Sequence, residues 1–158
     1  KKISKIAVVD FDVHHGNGTQ NVLWDDPECL FISIHQDKIF PFTGSKNETG
    51  IKNNILNIPV SSSSNSTEFR NFVDNIILPR LIKFEPEFLL ISAGFDGHKD
   101  DQLSQTQWEE SDFIYITKKL KSIANQFCKD RIVSCLEGGY HLEKLSTCCV
   151  SHLKTLME

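Results

Sequence analysis

Ile6-Ala7-Val8-Val9 runs straight into Asp10-Phe11-Asp12-Val13-His14, and Gly16-Asn17-Gly18 then breaks the pattern. Four apolar residues in a row, closed by a glycine-rich turn, read as a strand buried on both faces. Alternate side chains of an extended segment share a face, so Asp10, Asp12 and His14 can point the same way. A carboxylate and an imidazole two residues apart can chelate one ion.

The same grammar repeats outward from this strand. Leu30-Phe31-Ile32-Ser33-Ile34-His35, Ile55-Leu56-Asn57-Ile58-Pro59-Val60, Phe88-Leu89-Leu90-Ile91-Ser92-Ala93 and Arg131-Ile132-Val133-Ser134-Cys135-Leu136 are four further strands. Pro59 cannot donate to a ladder, which places the third strand at an edge. Helical patterns separate the strands. Thr19 is the expected cap of a short helix through Leu23 and Trp24. Thr67 and Glu68 open a second helix with Phe69, Phe72, Val73, Ile76 and Ile77 on its apolar face, which Pro79 should kink or end. A helix capped near Ser111 buries Phe113, Ile116, Leu120, Ile123 and Phe127, and a last one occupies roughly Leu142 to Leu156. Strands alternating with helices predict an α/β fold around a mainly parallel sheet. The stretch from His35 to Asn54, with Pro41, Gly44 and Gly50, reads as a long loop of the kind that is often functional.

The unusual residues sit at strand ends: Asp12 and His14, Ser33 and His35, Asp96 in Gly94-Phe95-Asp96-Gly97, and Tyr140 in Glu137-Gly138-Gly139-Tyr140. Ligands of open parallel sheets bind outside the carboxyl ends of the strands. Asp12, His14 and Asp96 would give three protein ligands with coordination left open, the arrangement of a catalytic rather than a structural zinc site. Plainer readings compete with this one. An Asp at a strand end commonly serves a turn or a cap, and Gly-Gly-Tyr is also an ordinary strand-to-helix turn. Joint placement at converging strand ends favours the metal.

Composition narrows the partners. The 158 residues carry a formal net charge of −4, without the clustered Lys and Arg of a nucleic-acid footprint, so direct nucleic-acid binding is not expected. No apolar run approaches the roughly 20 residues of a membrane span. Lys1-Lys2-Ile3-Ser4-Lys5 leads directly into the first strand, so no secretory signal is read. The five cysteines are odd in number and lack CxxC pairing, as expected of small buried hydrophobes in a reducing cytosol. A cytoplasmic location follows, or a nuclear one in a eukaryote.

Asp10-Phe11-Asp12-Val13-His14-His15-Gly16-Asn17-Gly18-Thr19-Gln20 resembles the zinc-binding signature of histone deacetylases, in its class II form. Ile91-Ser92-Ala93-Gly94-Phe95-Asp96 and Leu136-Glu137-Gly138-Gly139-Tyr140 resemble that family's two downstream motifs, in the same order. The resemblance covers the whole chain. It implies a three-layer, arginase-like fold with the sheet incomplete on its amino-terminal side, residues 1–158 forming the carboxy-terminal part of one catalytic domain. It implies Zn2+ on Asp12, His14 and Asp96, with Asp10 behind them supporting a histidine. It further implies K+ beneath the zinc, held by Asp10, Asp12, His14, Ser33 and Ile34, largely through backbone oxygens.

By the same resemblance, Tyr140 stabilises the oxyanion of amide hydrolysis, and Phe40 and Leu103 line the tunnel for an acetylated lysine side chain or an acetylpolyamine. Phe42 stands where relatives often have Gly and should make that wall bulkier. Relatives also place an adjacent histidine pair upstream of the first motif, where this chain has only nine residues before Asp10. The chain alone is therefore expected to be nearly inactive. His35, His98, His141 and His152 have no warrant as bases and are expected to be solvent-exposed or behind the metal ligands. The implied activity is hydrolysis of N-acetyl amides with release of acetate. An acetylpolyamine amidohydrolase and a non-catalytic metal-containing module that binds acyl ligands are the alternatives.

Overall fold

The computed structural model describes residues 3–158; Lys1 and Lys2 of the leading lysine-rich segment lie outside the described residues. Five strands form one wholly parallel sheet: β1 (Ile6–Asp10), β2 (Cys29–Gln36), β3 (Ile55–Val60), β4 (Phe88–Ala93) and β5 (Ile132–Leu136). Their spatial order is β3-β2-β1-β4-β5, which puts Pro59 on an edge strand as its missing N–H requires. The pairing Asp10↔Ser33 and Asp10↔Ser92 sets the end of β1 beside the end of β4, with β2 running three residues further.

Strict alternation divides the layers. Ala7, Val9 and Phe11, with Leu30, Ile32 and Ile34 and with Leu89, Ile91 and Ala93, join the large core on one face. That core is closed by α2 (Ser66–Phe72), α3 (Leu78–Phe84), α4 (Glu110–Ile123) and α5 (Leu142–Met157). Val8 and Phe31 point the other way, to a small cluster that includes Ile55 and packs against Leu23 of α1 (Asn17–Leu23). Helices on both faces give the expected three layers.

Helix boundaries show where local chemistry won. Thr19 lies inside α1 rather than capping it. The cap of α2 is Asn65, whose side chain accepts from Glu68 N, so the helix opens one residue before Thr67. Glu109, not Ser111, caps α4 through a reciprocal box with Asp112, the arrangement that satisfies two orphan N–H groups at once. Pro79 neither ends nor breaks its helix: a π-helical turn over Val73–Ile77 precedes α3, and Pro79 sits in the first turn of α3, where a missing N–H costs little. A second π turn, Ala124–Cys128, ends α4.

Candidate metal centre

Phe11 and Phe95 explain how the site is assembled. Each is fully or almost fully buried, and their rings meet edge-on at 6.0 Å within a cluster that includes Phe113 and His152. Phe11 lies between Asp10 and Asp12, and Phe95 between Gly94 and Asp96. Driving both rings into one core holds the neighbouring carboxylates at the sheet's carboxyl edge.

There Asp12, His14 and Asp96 converge. Their ligand atoms lie within 4.8 Å of one another. His14 Nδ1 is 2.9 Å from Asp96 Oδ2 and 3.2 Å from Asp12 Oδ1. The backbone fixes each carboxylate: Val13 N donates to Asp96 Oδ1 at 2.9 Å, and Gly138 N to Asp12 Oδ2 at 2.7 Å. Two glycines make room. A Cβ on Gly94 would stand 2.3 Å from Asp12 Oδ2, and one on Gly138 would stand 2.2 Å from Asp96 Oδ2.

The charges are strongly interdependent. Hydrogen bonds to Asp12 and Asp96 raise His14 to about 10, against the opposing effect of burial. Burial lifts Asp12, but the hydrogen bonds it accepts from His14 and from backbone N–H groups outweigh this and leave it lowered. Asp96 is raised, chiefly by burial and also by the charge of Asp12. His14 Nδ1 thus faces both acidic groups at once, and a divalent cation would satisfy all three. The set has the N and O donors of a three-ligand catalytic zinc site.

Asp10 is 4% exposed beneath this triad and is raised well above the usual carboxylate range by burial, then by the neighbouring charge of Asp12. It holds no histidine among the described residues. Its Oδ1 instead accepts Asp12 N at 3.0 Å, so it braces the backbone of the ligand strand. Ser33 pairs with Asp10 across the sheet while its hydroxyl meets His35 Nδ1, and the Ile34 side chain is in the core.

A cleft of about 680 Å³ opens over the triad, lined by Asp12, His14, Ile39, Phe40, Leu103, Leu136, Glu137, Gly138 and Tyr140. Phe40, Leu103 and Tyr140 thus share one cleft with Asp12 and His14. Burial, followed by the charges of Asp96, Asp12 and Asp101, raises the Tyr140 phenol, which keeps it a hydrogen-bond donor at neutral pH. Phe42 does not narrow this cleft. It lines a separate depression with Lys38, Thr43 and Pro59, on a backbone with a φ of 64°.

Of the four histidines read as exposed or behind the metal ligands, three are buried rather than exposed. His35, His98 and His152 are 1%, 4% and 4% exposed. His152 bridges Thr117 Oγ1 and Ser134 Oγ, and His35 joins Ser33 to Gly44 O. Of the cysteines, Cys29, Cys128 and Cys148 are buried, whereas Cys135 is exposed. Two contributors escaped the sequence: Glu137 as a lining carboxylate, and the buried Asp101, which accepts from the backbone beside Tyr140. Neither carries a local signal, since one follows an ordinary strand and the other sits in a polar loop.

Known proteins resemble this chain in both sequence and fold. The family model for the histone deacetylase domain matches residues 1–156. The chain is 46% identical to type-2 histone deacetylase 2 of Dictyostelium discoideum over 98% of its length, and 36% identical to chloroplastic histone deacetylase 14 of Arabidopsis thaliana, also over 98%. It spans 10% and 37% of those two proteins. Among solved structures, the histone deacetylase Clr3 superposes with a TM-score of 0.91 at 27% identity, covering 99% of this chain and 27% of that one. An acetylpolyamine aminohydrolase from Burkholderia pseudomallei superposes at 0.88 with 30% identity, covering 98% and 45%. No described helix is long and apolar enough to cross a membrane.

Proposed function

Because the chain belongs to the histone deacetylase family, we propose that Asp12, His14 and Asp96 hold a catalytic Zn2+ and that the cleft above them accepts an acetylated lysine side chain for amide hydrolysis. The convergence of His14 Nδ1 with two carboxylates under an open cleft carries this reading. Zinc bound there would supply a Lewis acid and a water of lowered pKa.

The protein's own residues do the rest. Gly138 N and Val13 N keep Asp12 and Asp96 oriented, so the ligand set is prepared before metal arrives. Phe40 and Leu103 flank the aliphatic stem of the substrate and exclude water from it. The Tyr140 phenol donates to the oxygen on which negative charge develops, an interaction stronger in the transition state than in the ground state. K+ would lie by Asp10, Asp12, His14, Ser33 and Ile34, where the buried, mutually repelling Asp10 and Asp12 favour a second cation.

In the full-length protein, Tyr140→Phe should lower turnover of an acetyl-lysine peptide about 10²- to 10³-fold, with zinc content unchanged. Unchanged turnover would refute the role. The likeness to an acetylpolyamine aminohydrolase supports a second reading, in which the substrate is an acetylpolyamine. Comparing kcat/KM for acetylspermidine with that for the peptide separates the two.

A further inference from the structure

Tyr140 stands on a short segment between β5 and α5, and something must set its height over the metal ligands. Its side chain is half-exposed, so packing alone does not fix it. The backbone beside it is held by one carboxylate. Asp101, 5% exposed, takes Tyr140 N at 2.6 Å and His141 N at 3.0 Å on the same oxygen, Oδ2. Its other oxygen, Oδ1, accepts Leu103 N at 2.9 Å. His141 is the N-cap of α5, so this acidic group also faces the positive end of a 16-residue helix.

The loop that carries Asp101 is itself tied to a metal ligand. Ser104 Oγ donates to Asp96 O at 2.7 Å, Thr106 Oγ1 donates to Gly97 O at 2.8 Å, and Asp101 N donates to His98 O at 2.8 Å. Hydrogen bonds, joined by the peptide between Leu103 and Ser104, therefore lead from the backbone of Asp96 through Asp101 to the backbone of Tyr140. We infer that Asp101 is a positioning residue: it sets the Tyr140 phenol, and with it the Leu103 wall, at a fixed distance from the metal ligands. The inference rests on the oxyanion role given above to Tyr140. Charge-assisted acceptance of three N–H groups by one buried carboxylate gives this clamp its stiffness, and displacing a reacting group by about 1 Å can cost on the order of 10²-fold.

Asp101→Asn is nearly isosteric. It leaves an oxygen for Leu103 N but presents an NH2 to the two N–H groups at Tyr140 and His141. The test is a double-mutant cycle with Tyr140→Phe, read as the dissociation constant of acetohydroxamate on the zinc-loaded protein. Acetohydroxamate chelates zinc and offers a carbonyl oxygen to the phenol, so no turnover is needed. Tyr140→Phe should weaken it about tenfold, the value of one hydrogen bond to a charged group. Asp101→Asn should weaken it by a similar factor while zinc affinity stays within about threefold, and the double variant should be no weaker than Tyr140→Phe alone within about twofold.

Wild-type binding by Asp101→Asn, or losses that multiply in the double variant, overturn the inference. Equal binding by wild type and Tyr140→Phe overturns the role of Tyr140 as well. Should Asp101→Asn lose zinc or fail to fold, His141→Pro deletes one of the two N–H groups while leaving the carboxylate in place. That variant must then show the same non-additivity with Tyr140→Phe, and additivity there overturns the inference.

Discussion

Gly138→Ala isolates the geometry of the metal centre from every other property of the protein. The added Cβ would lie 2.2 Å from Asp96 Oδ2 and 2.6 Å from Asp12 Oδ2. Ordinary carbon–oxygen contacts are at least about 3.2 Å, so roughly 1 Å of movement is required, whereas metal sites tolerate about 0.2 Å in ligand distance. The backbone cannot easily supply that movement. Gly138 N is bonded to Asp12 Oδ2 at 2.7 Å, and Gly138 O accepts Phe95 N at 2.7 Å. The carboxylates must therefore yield, and Asp96 Oδ2 is the atom facing His14 Nδ1.

Losing orientation of supporting groups alone costs about 10–100-fold in metal affinity; displacing a ligand directly should cost at least about 100-fold in zinc affinity by chelator competition. The strain on the fold should be smaller, about 1–3 kcal/mol for one overpacked methyl group, read as a lower urea midpoint of the metal-free protein. Gly18→Ala is the control, because a Cβ there meets nothing within 4 Å. In α1 it should leave zinc affinity untouched and stabilise the fold by up to about 1 kcal/mol. Zinc affinity in Gly138→Ala within about threefold of wild type would refute the geometric reasoning.

Two predictions concern pH. His14 is raised to about 10 in the metal-free protein, above its unfolded value of 6.5, so its ion-pair stabilisation is complete below pH 6.5 and fades as pH rises through about 10. Zinc must displace that proton, so its affinity should rise about tenfold per pH unit between pH 7 and 9; a flat profile by chelator competition would contradict this. Buried His35 and His152 behave oppositely. Burial lowers both to about 4, so between pH 6.5 and about 4 the unfolded chain binds protons that the fold refuses. These two imidazoles should weaken metal-free stability from pH 7 to 5, against the opposing proton binding of the raised Asp10, Asp96 and His14, and a His152→Asn variant whose urea midpoint falls as steeply as wild type over that range would count against it.

The strands and most of the helices can be read from the sequence by itself, because they are written in short-range periodicity; Asp12, His14 and Asp96 stand out there only as candidates, through their places at strand ends and the resemblance of their motifs. Unbroken apolar runs such as Ile6-Ala7-Val8-Val9 can only be buried strands, and two-residue spacing puts Asp10, Asp12 and His14 at one strand end. Glycines on either side of Asp96 leave room at another. Local competition decided the rest and could not be read from pattern alone: Glu109 with Asp112 displaced Ser111 as a cap, and a π turn let Pro79 sit inside its helical run. The long-range hydrogen bonds were set only by the tertiary structure. His152 is held by Ser134 and Thr117, 18 and 35 residues away, which no local pattern announces. Phe42 lines a depression apart from the cleft, on a backbone of positive φ that no side-chain pattern encodes. Asp101 shows the limit most clearly. It lies 39 residues from the N–H it holds at Tyr140, and a carboxylate's acceptors acquire meaning only when folding delivers the donors.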